Sequence, residues 1–255
     1  MSLLNKLGMG HGHNSPRDPR HVAAGAKSSP SAPAVGGAGS PRAADQHVAT
    51  RVSNGLKEFL WNLDGLGRGT LLDLGPAWQT TLNFFIERGF RVSSEDVLRG
   101  WKAFLDEEQL RLSVLNGGSL RDDATKEPLD MSADGRAARF LQSNLQYPAA
   151  SFDAVLLWDL LDYLDPAMTK QIVASLTNLL RPAGIVFAMF HAKKPEGFQR
   201  YRVADSNTLQ VIPASLVTPS TKIYQNREIQ ELFSHYRTMK SFVGRDQLRE
   251  TLFIK

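Results

Sequence analysis

A chain of 255 residues, 42% of them apolar, can bury one substantial core and is too short for two large ones. It has no cysteine, which excludes disulfides, thiolate metal sites and any mechanism that starts from a cysteine nucleophile. Much of the net charge of +4 sits in the first fifty residues, where Lys6, Arg17, Arg20, Lys27 and Arg42 meet only Asp18 and Asp45, leaving the remainder close to neutral.

Residues 8–46 are dominated by Gly, Ala, Ser, Pro and His, with almost no large apolar side chain to offset the entropy of ordering. The reading is therefore a disordered tail over 1–50 and one domain over 51–255. His11 and His13 have no third ligand near them in sequence, so no metal site is expected there. Order should begin near Ser53, which caps a helix carrying Leu56, Phe59, Leu60 and Leu63 at helical spacing, stopped by Gly65 and Gly67. Thr70 to Leu74 is a short apolar run closed by Gly75-Pro76, the pattern of a buried parallel strand. A helix over Gln79–Arg88 and a strand from Phe90 to Ser94, ending at Glu95-Asp96, complete a right-handed βαβ unit.

Helical spacing returns between Leu98 and Leu112, and Asn116 to Asp134 has no assignable period. Ala138 to Gln142 reads either as a short third strand or as the end of a helix. Phe152 to Trp158 has the length and branching of a central strand. Asp165-Pro166 then opens an amphipathic helix with Ile172, Val173, Leu176, Leu179 and Leu180, which ends at Pro182-Ala183-Gly184 before a buried strand from Ile185 to Phe190. Residues 192–222 carry three prolines and read as an extended excursion or hairpin over the sheet edge. Asn226 caps a last helix with Ile229, Leu232 and Phe233. Two final strands, Thr238–Val243 and Glu250–Ile254, are joined at Gly244-Arg245-Asp246. The fold class expected is α/β, Rossmann-like: a mostly parallel sheet with a C-terminal antiparallel hairpin in three αβα layers.

Three stretches resemble the class I S-adenosylmethionine-dependent methyltransferases, those of the methyltransferase type 11 kind in particular, over residues 68–255. Leu71-Leu72-Asp73-Leu74-Gly75 is similar to the start of the family's glycine-rich first motif. The run from Leu145 to Val155, with Tyr147-Pro148 and then Phe152-Asp153, resembles the approach to its fourth strand. Leu160 to Pro166, with Leu179-Leu180-Arg181-Pro182-Ala183-Gly184, is similar to the helix after that strand and the turn before the fifth. The resemblance implies an S-adenosylmethionine cofactor, held where strand ends meet in an open sheet. Its implied cofactor-binding set is Asp73, Gly75, Trp78, Glu95, Asp96, Asn144, Trp158 and Asp159. Of the two acids after the second strand Glu95 is preferred for the ribose hydroxyls, since it lies about twenty residues beyond the first motif.

Two departures from the family pattern stand out. Where the family continues Gly-x-Gly, this chain has Gly75-Pro76-Ala77-Trp78, which narrows the backbone approach and sets Trp78 where it can wall the pocket or face the sulfonium. The acid after the third strand is missing, with Gln142, Ser143 or Asn144 in its place; an amide can still serve an adenine edge. No Asn-Pro-Pro-Tyr motif follows the fourth strand, so amino methylation of nucleic-acid bases is disfavoured. The acceptor implied is a small molecule or a protein.

His191, ending the fifth strand, is the candidate general base, with Tyr163, Phe198, Tyr201 and Arg202 as candidate acceptor-pocket residues. The damaged glycine motif keeps an alternative open, a catalytically inactive methyltransferase-fold binding module. A nicotinamide enzyme ranks third, because Pro76 removes an amide that a pyrophosphate needs. Apolar runs such as Ala154–Trp158 are too short to span a bilayer, and the chain's start lacks a secretory h-region, so a cytoplasmic, membrane-free protein is expected.

Overall fold

In the computed structural model, residues 49–116, 130–215 and 222–255 are described. The tail, with His11 and His13, most of the unassigned Asn116–Asp134 stretch and part of the excursion lie outside them.

The first element is a strand the sequence did not announce, β1 (Ala49–Val52), so order begins ahead of Ser53. Ser53 then caps α1 (Asn54–Leu63) by accepting the Leu56 N–H at 2.9 Å. There follow β2 (Gly69–Asp73), α2 (Gln79–Ile86), β3 (Phe90–Ser94) and α3 (Val97–Asn116). Next come α4 (Ala133–Asn144), β4 (Phe152–Trp158), a 3-10 turn at Leu160–Tyr163, and α5 (Pro166–Leu179). Asp165 caps α5 by accepting the Met168 N–H at 3.0 Å, with Pro166 in its first turn.

The chain ends with β5 (Leu180–His191), β6 (Gln199–Val203), β7 (Thr208–Pro213), α6 (Asn226–Leu232), β8 (Thr238–Val243) and β9 (Leu248–Ile254). Ala138 to Gln142 lies within α4, so its helical reading holds and the third strand does not form. The α6 cap is Gln225, not Asn226; the Glu228 carboxylate accepts the Gln225 N–H at 2.8 Å. The turn at Pro182–Gly184 falls inside β5, which starts earlier than expected and pairs Leu180 with Phe152.

The main sheet runs β3-β2-β4-β5-β9-β8. β3, β2, β4 and β5 are parallel, whereas β9 is antiparallel to both β5 and β8. This is the Rossmann-like, mostly parallel sheet with a C-terminal antiparallel hairpin. Alternation along β4 divides the core. Val155 and Leu157 face a cluster with Phe140, Leu141, Ile172, Leu176 and Ile229 of α4, α5 and α6. Ala154, Leu156 and Trp158 face one with Leu56, Phe59 and Phe85 of α1 and α2. Of the two readings of the excursion, the hairpin forms: β6 and β7 are antiparallel, and β7 also pairs with β1 in a separate three-stranded sheet, order β1-β7-β6. Tyr201, Val203 and Leu209 of that hairpin are buried in the second cluster. No helix among the described residues is long and apolar enough to cross a membrane.

Candidate functional site

After β3 the chain crosses β2 to enter β4 on the other side. The order therefore reverses between β2 and β4, and the crevice outside their carboxyl ends is where an open α/β sheet takes its ligand. Asp73 ends β2, and Gly75 follows it. Trp158 ends β4, and Asp159 follows it. Glu95 is brought alongside by its own backbone, whose N–H donates to the Asp73 carbonyl at 2.8 Å, and the Ser94 hydroxyl donates to the Gly75 carbonyl at 3.3 Å. Asp73, Gly75, Glu95, Trp158 and Asp159 thus converge as the strand-end argument requires.

Asp73 is almost fully buried. Its Oδ1 accepts the Gly75 N–H at 2.9 Å and the Trp158 indole Nε1–H at 2.7 Å, while its Oδ2 has no hydrogen-bond partner. Burial raises its carboxyl to about 6, against the pull of those two donors. Glu95 Oε1 accepts the Tyr147 hydroxyl at 2.7 Å. Burial, and then that carboxylate, push the Tyr147 phenol upward.

Trp158 takes the place expected of Trp78. Its backbone φ is +53°, its ring lies against Gly75, and it is parallel to Tyr201 with centroids 6.3 Å apart. A Cβ added to Gly75 would lie 2.8 Å from the indole Cδ1 and Nε1, so only glycine admits the ring. What remains of the crevice, among Leu74, Gly75, Trp158, Tyr163, Phe198 and Arg200, has room of about 10 Å³, at most one water. Trp78 is not part of its lining and sits beneath the Arg202 guanidinium, 5.7 Å from the ring centroid. Arg202 therefore covers the half-buried Trp78 ring and is not in the crevice lining.

Two other expected residues are occupied elsewhere. Asp96 caps α3 by accepting the Arg99 N–H at 3.2 Å and pairs with Arg200 at 3.2 Å. Asn144 donates its amide to the Phe140 carbonyl of its own helix at 2.9 Å and is not in the crevice lining; without a third strand, nothing carries it to the sheet's carboxyl edge.

On the β5 side, Asp162 of the 3-10 turn accepts both the His191 N–H at 2.7 Å and its ring Nδ1 at 2.9 Å. His191 Nε2 lies 3.9 Å from Asp159 Oδ2. Asp159 is buried, its Oδ2 has no hydrogen-bond partner, and burial lifts its carboxyl to about 7 despite His191. His191 is raised overall: burial opposes its charge, but Asp162 and Asp159 outweigh that. Tyr163 packs edge-on to Phe198 and to His191. Asp162, Arg200 and Tyr147 were missed in the sequence. Asp162, one 3-10 turn beyond Asp159, carried the only available signal.

The parallel strands with an antiparallel β9 inserted between β5 and β8, and the crevice at β2 and β4, are what the resemblance implied. The architecture is a Rossmann-like, mostly parallel α/β sheet with an antiparallel hairpin. No protein-family model matches the chain, and no curated protein does. Among solved structures it is similar to a 1,6-didemethyltoxoflavin-N1-methyltransferase of Burkholderia thailandensis bound to S-adenosylhomocysteine, at 16% identity and TM-score 0.39, over 80% of this chain and 79% of that one. A methyltransferase of Methanosarcina mazei aligns at 15% identity and TM-score 0.38, over 74% of this chain and 93% of that one. One of Archaeoglobus fulgidus aligns at 11% identity and TM-score 0.42, over 78% and 91%.

Proposed function

We propose that this chain is an S-adenosylmethionine-dependent methyltransferase acting on a small-molecule or protein acceptor. The observation that carries the reading is the convergence of Asp73, Gly75 and Glu95 on the strand-order reversal, with one buried Asp73 oxygen left without a partner. The donor set suits the cofactor. Asp73 Oδ2 would take its ammonium, Glu95 the ribose hydroxyls, and the bare Gly75 backbone a close approach. The crevice itself is filled by the Trp158 ring, so occupancy requires that ring to leave.

When bound, the cofactor supplies an electrophilic methyl group. The chain's own part is alignment, exclusion of water and proton handling. With Nδ1–H donated to Asp162, a neutral His191 presents an unprotonated Nε2, which takes the proton released by a hydroxyl or amine acceptor. Asp162 fixes that tautomer and is a positioning residue.

S-adenosylhomocysteine titrated calorimetrically should bind the wild-type chain, and Glu95→Ala should weaken it about tenfold or more, the worth of a charge-assisted hydrogen bond. Equal affinity for both proteins would remove Glu95 from the site. The filled crevice, with Ala77 where a second glycine is usual, favours a second reading, a non-catalytic binding module on the same fold. Absence of detectable heat at near-millimolar S-adenosylhomocysteine selects it.

A further inference from the structure

The bond from the Trp158 indole to Asp73 is the kind of contact a ligand would make. The ring occupies the reversal point, donates to a buried carboxylate at 2.7 Å, touches the glycine, stacks on Tyr201 and meets Phe187 edge-on at 6.0 Å. We propose that this indole is a built-in occupant of the crevice, and that a nucleoside ligand enters only by exchanging with it. The inference rests on the cofactor reading above and adds the regulation of that site.

An ordinary core tryptophan ending a strand would keep relaxed backbone and put its N–H on a carbonyl or on water. Trp158 does neither. Its φ of +53° is a conformation that bulky residues adopt rarely and at a cost, and the β4–β5 register shifts between Leu156 and Trp158. Such strain persists where the surroundings over-determine it. Here they do so through one hydrogen bond and a ring stack, both lost if the indole swings away. Its partner carboxyl is raised to about 6, so the N–H satisfies a group that burial has made costly to ionise, as a ligand's ammonium would.

The outer side is shut by β6. Tyr201 covers the ring, and Arg200, over the Phe198 ring at 4.9 Å, is tied to Asp96 beyond β3. Exchange therefore opens the Arg200–Asp96 pair as well. A closed resident state lowers the apparent affinity of any entering ligand by the fraction of molecules that are open.

The test is calorimetric titration of S-adenosylhomocysteine into the full-length wild type, Trp158→Ala and Trp158→Phe, with free indole as a second probe. Trp158→Ala is expected to bind at least about tenfold tighter than wild type, with Trp158→Phe between them. Indole should raise the melting temperature of Trp158→Ala and weaken its S-adenosylhomocysteine affinity by competing for the vacated space. Equal affinity in wild type and Trp158→Ala, or binding to Trp158→Ala that ignores indole, overturns the exchange and leaves the cofactor reading standing. Indole stabilising Trp158→Ala while S-adenosylhomocysteine binds none of the proteins ends both. If Trp158→Ala fails to fold, Trp158→Phe and Trp158→Leu carry the same comparison.

Discussion

Glu250→Ala should lower the melting temperature by roughly 6–12 °C in calorimetry, the largest loss expected of any polar substitution in the described domain. Glu250, on β9, is 2% exposed. Its Oε1 pairs with Arg51 of β1 at 2.7 Å, and its Oε2 accepts the Gly55 N–H in the first turn of α1 at 2.6 Å. One carboxylate thus ties the small sheet and the first helix to the main sheet. Removal leaves Arg51 nearly buried with only the half-exposed Asp246, at 2.9 Å, and orphans a helix N-terminal donor. Breaking a buried pair on one side costs about 3 kcal/mol or more, and for a domain of this size each kcal/mol is about 2–4 °C. Glu250→Gln keeps an acceptor for Gly55 and should fall between. A loss below about 2 °C for the alanine variant would show that Arg51 re-pairs freely.

Asp159→Asn should make the protein more stable at pH 8 while changing little near pH 4. Burial holds the Asp159 carboxyl at about 7 in the folded protein, far above its ordinary 3.8, so the native state binds the proton more tightly than the unfolded chain. Stability from this group is fully present below the ordinary value and is lost as pH rises toward and through about 7. Three units, with the opposing pull of His191 already included, correspond to on the order of 4 kcal/mol. The amide of the Asp159→Asn variant does not titrate and escapes the loss. His191, also raised, keeps a residual slope of the same sign near neutrality, since stability from its charged form is lost as pH rises through its elevated value. Melting curves at pH 4 and pH 8 decide the matter, and an asparagine variant less stable than wild type at pH 8 would refute the sign.

Much of the parallel core was legible because β4 and the inner part of β5 are apolar runs and α1 and α5 carry side-chain caps. Phe152 to Trp158, and Asp165-Pro166, are read from local chemistry alone. β1 escaped notice because Ala49–Val52 is short, mostly exposed and meaningful only against Thr208–Val211, far along the chain. The third strand was never settled because Ala137, Phe140 and Leu141 supply too few apolar positions to fix a period, and α4 occupies the place.

Strand ends put Asp73, Gly75, Glu95 and Asp159 near one another in the sequence reading, since the position of a chemical group at a carboxyl edge follows from sheet topology. The part played by Trp158 did not follow. It depends on a left-handed backbone angle and a side-chain direction that residue identity does not encode, and Trp78, nearer the glycine motif, was the more obvious wall. The Asp162–His191 pair was hidden for a similar reason: a 3-10 turn, not a helix, brings the acid back to β5.

The most direct test of the account is a crystal structure of the full chain grown with S-adenosylhomocysteine. The prediction is a nucleoside at the β2–β4 reversal, with ribose hydroxyls on Glu95, the ligand's ammonium at Asp73 Oδ2, and the Trp158 ring turned out of the crevice. A structure with the ligand bound elsewhere, and the indole still donating to Asp73, would contradict it.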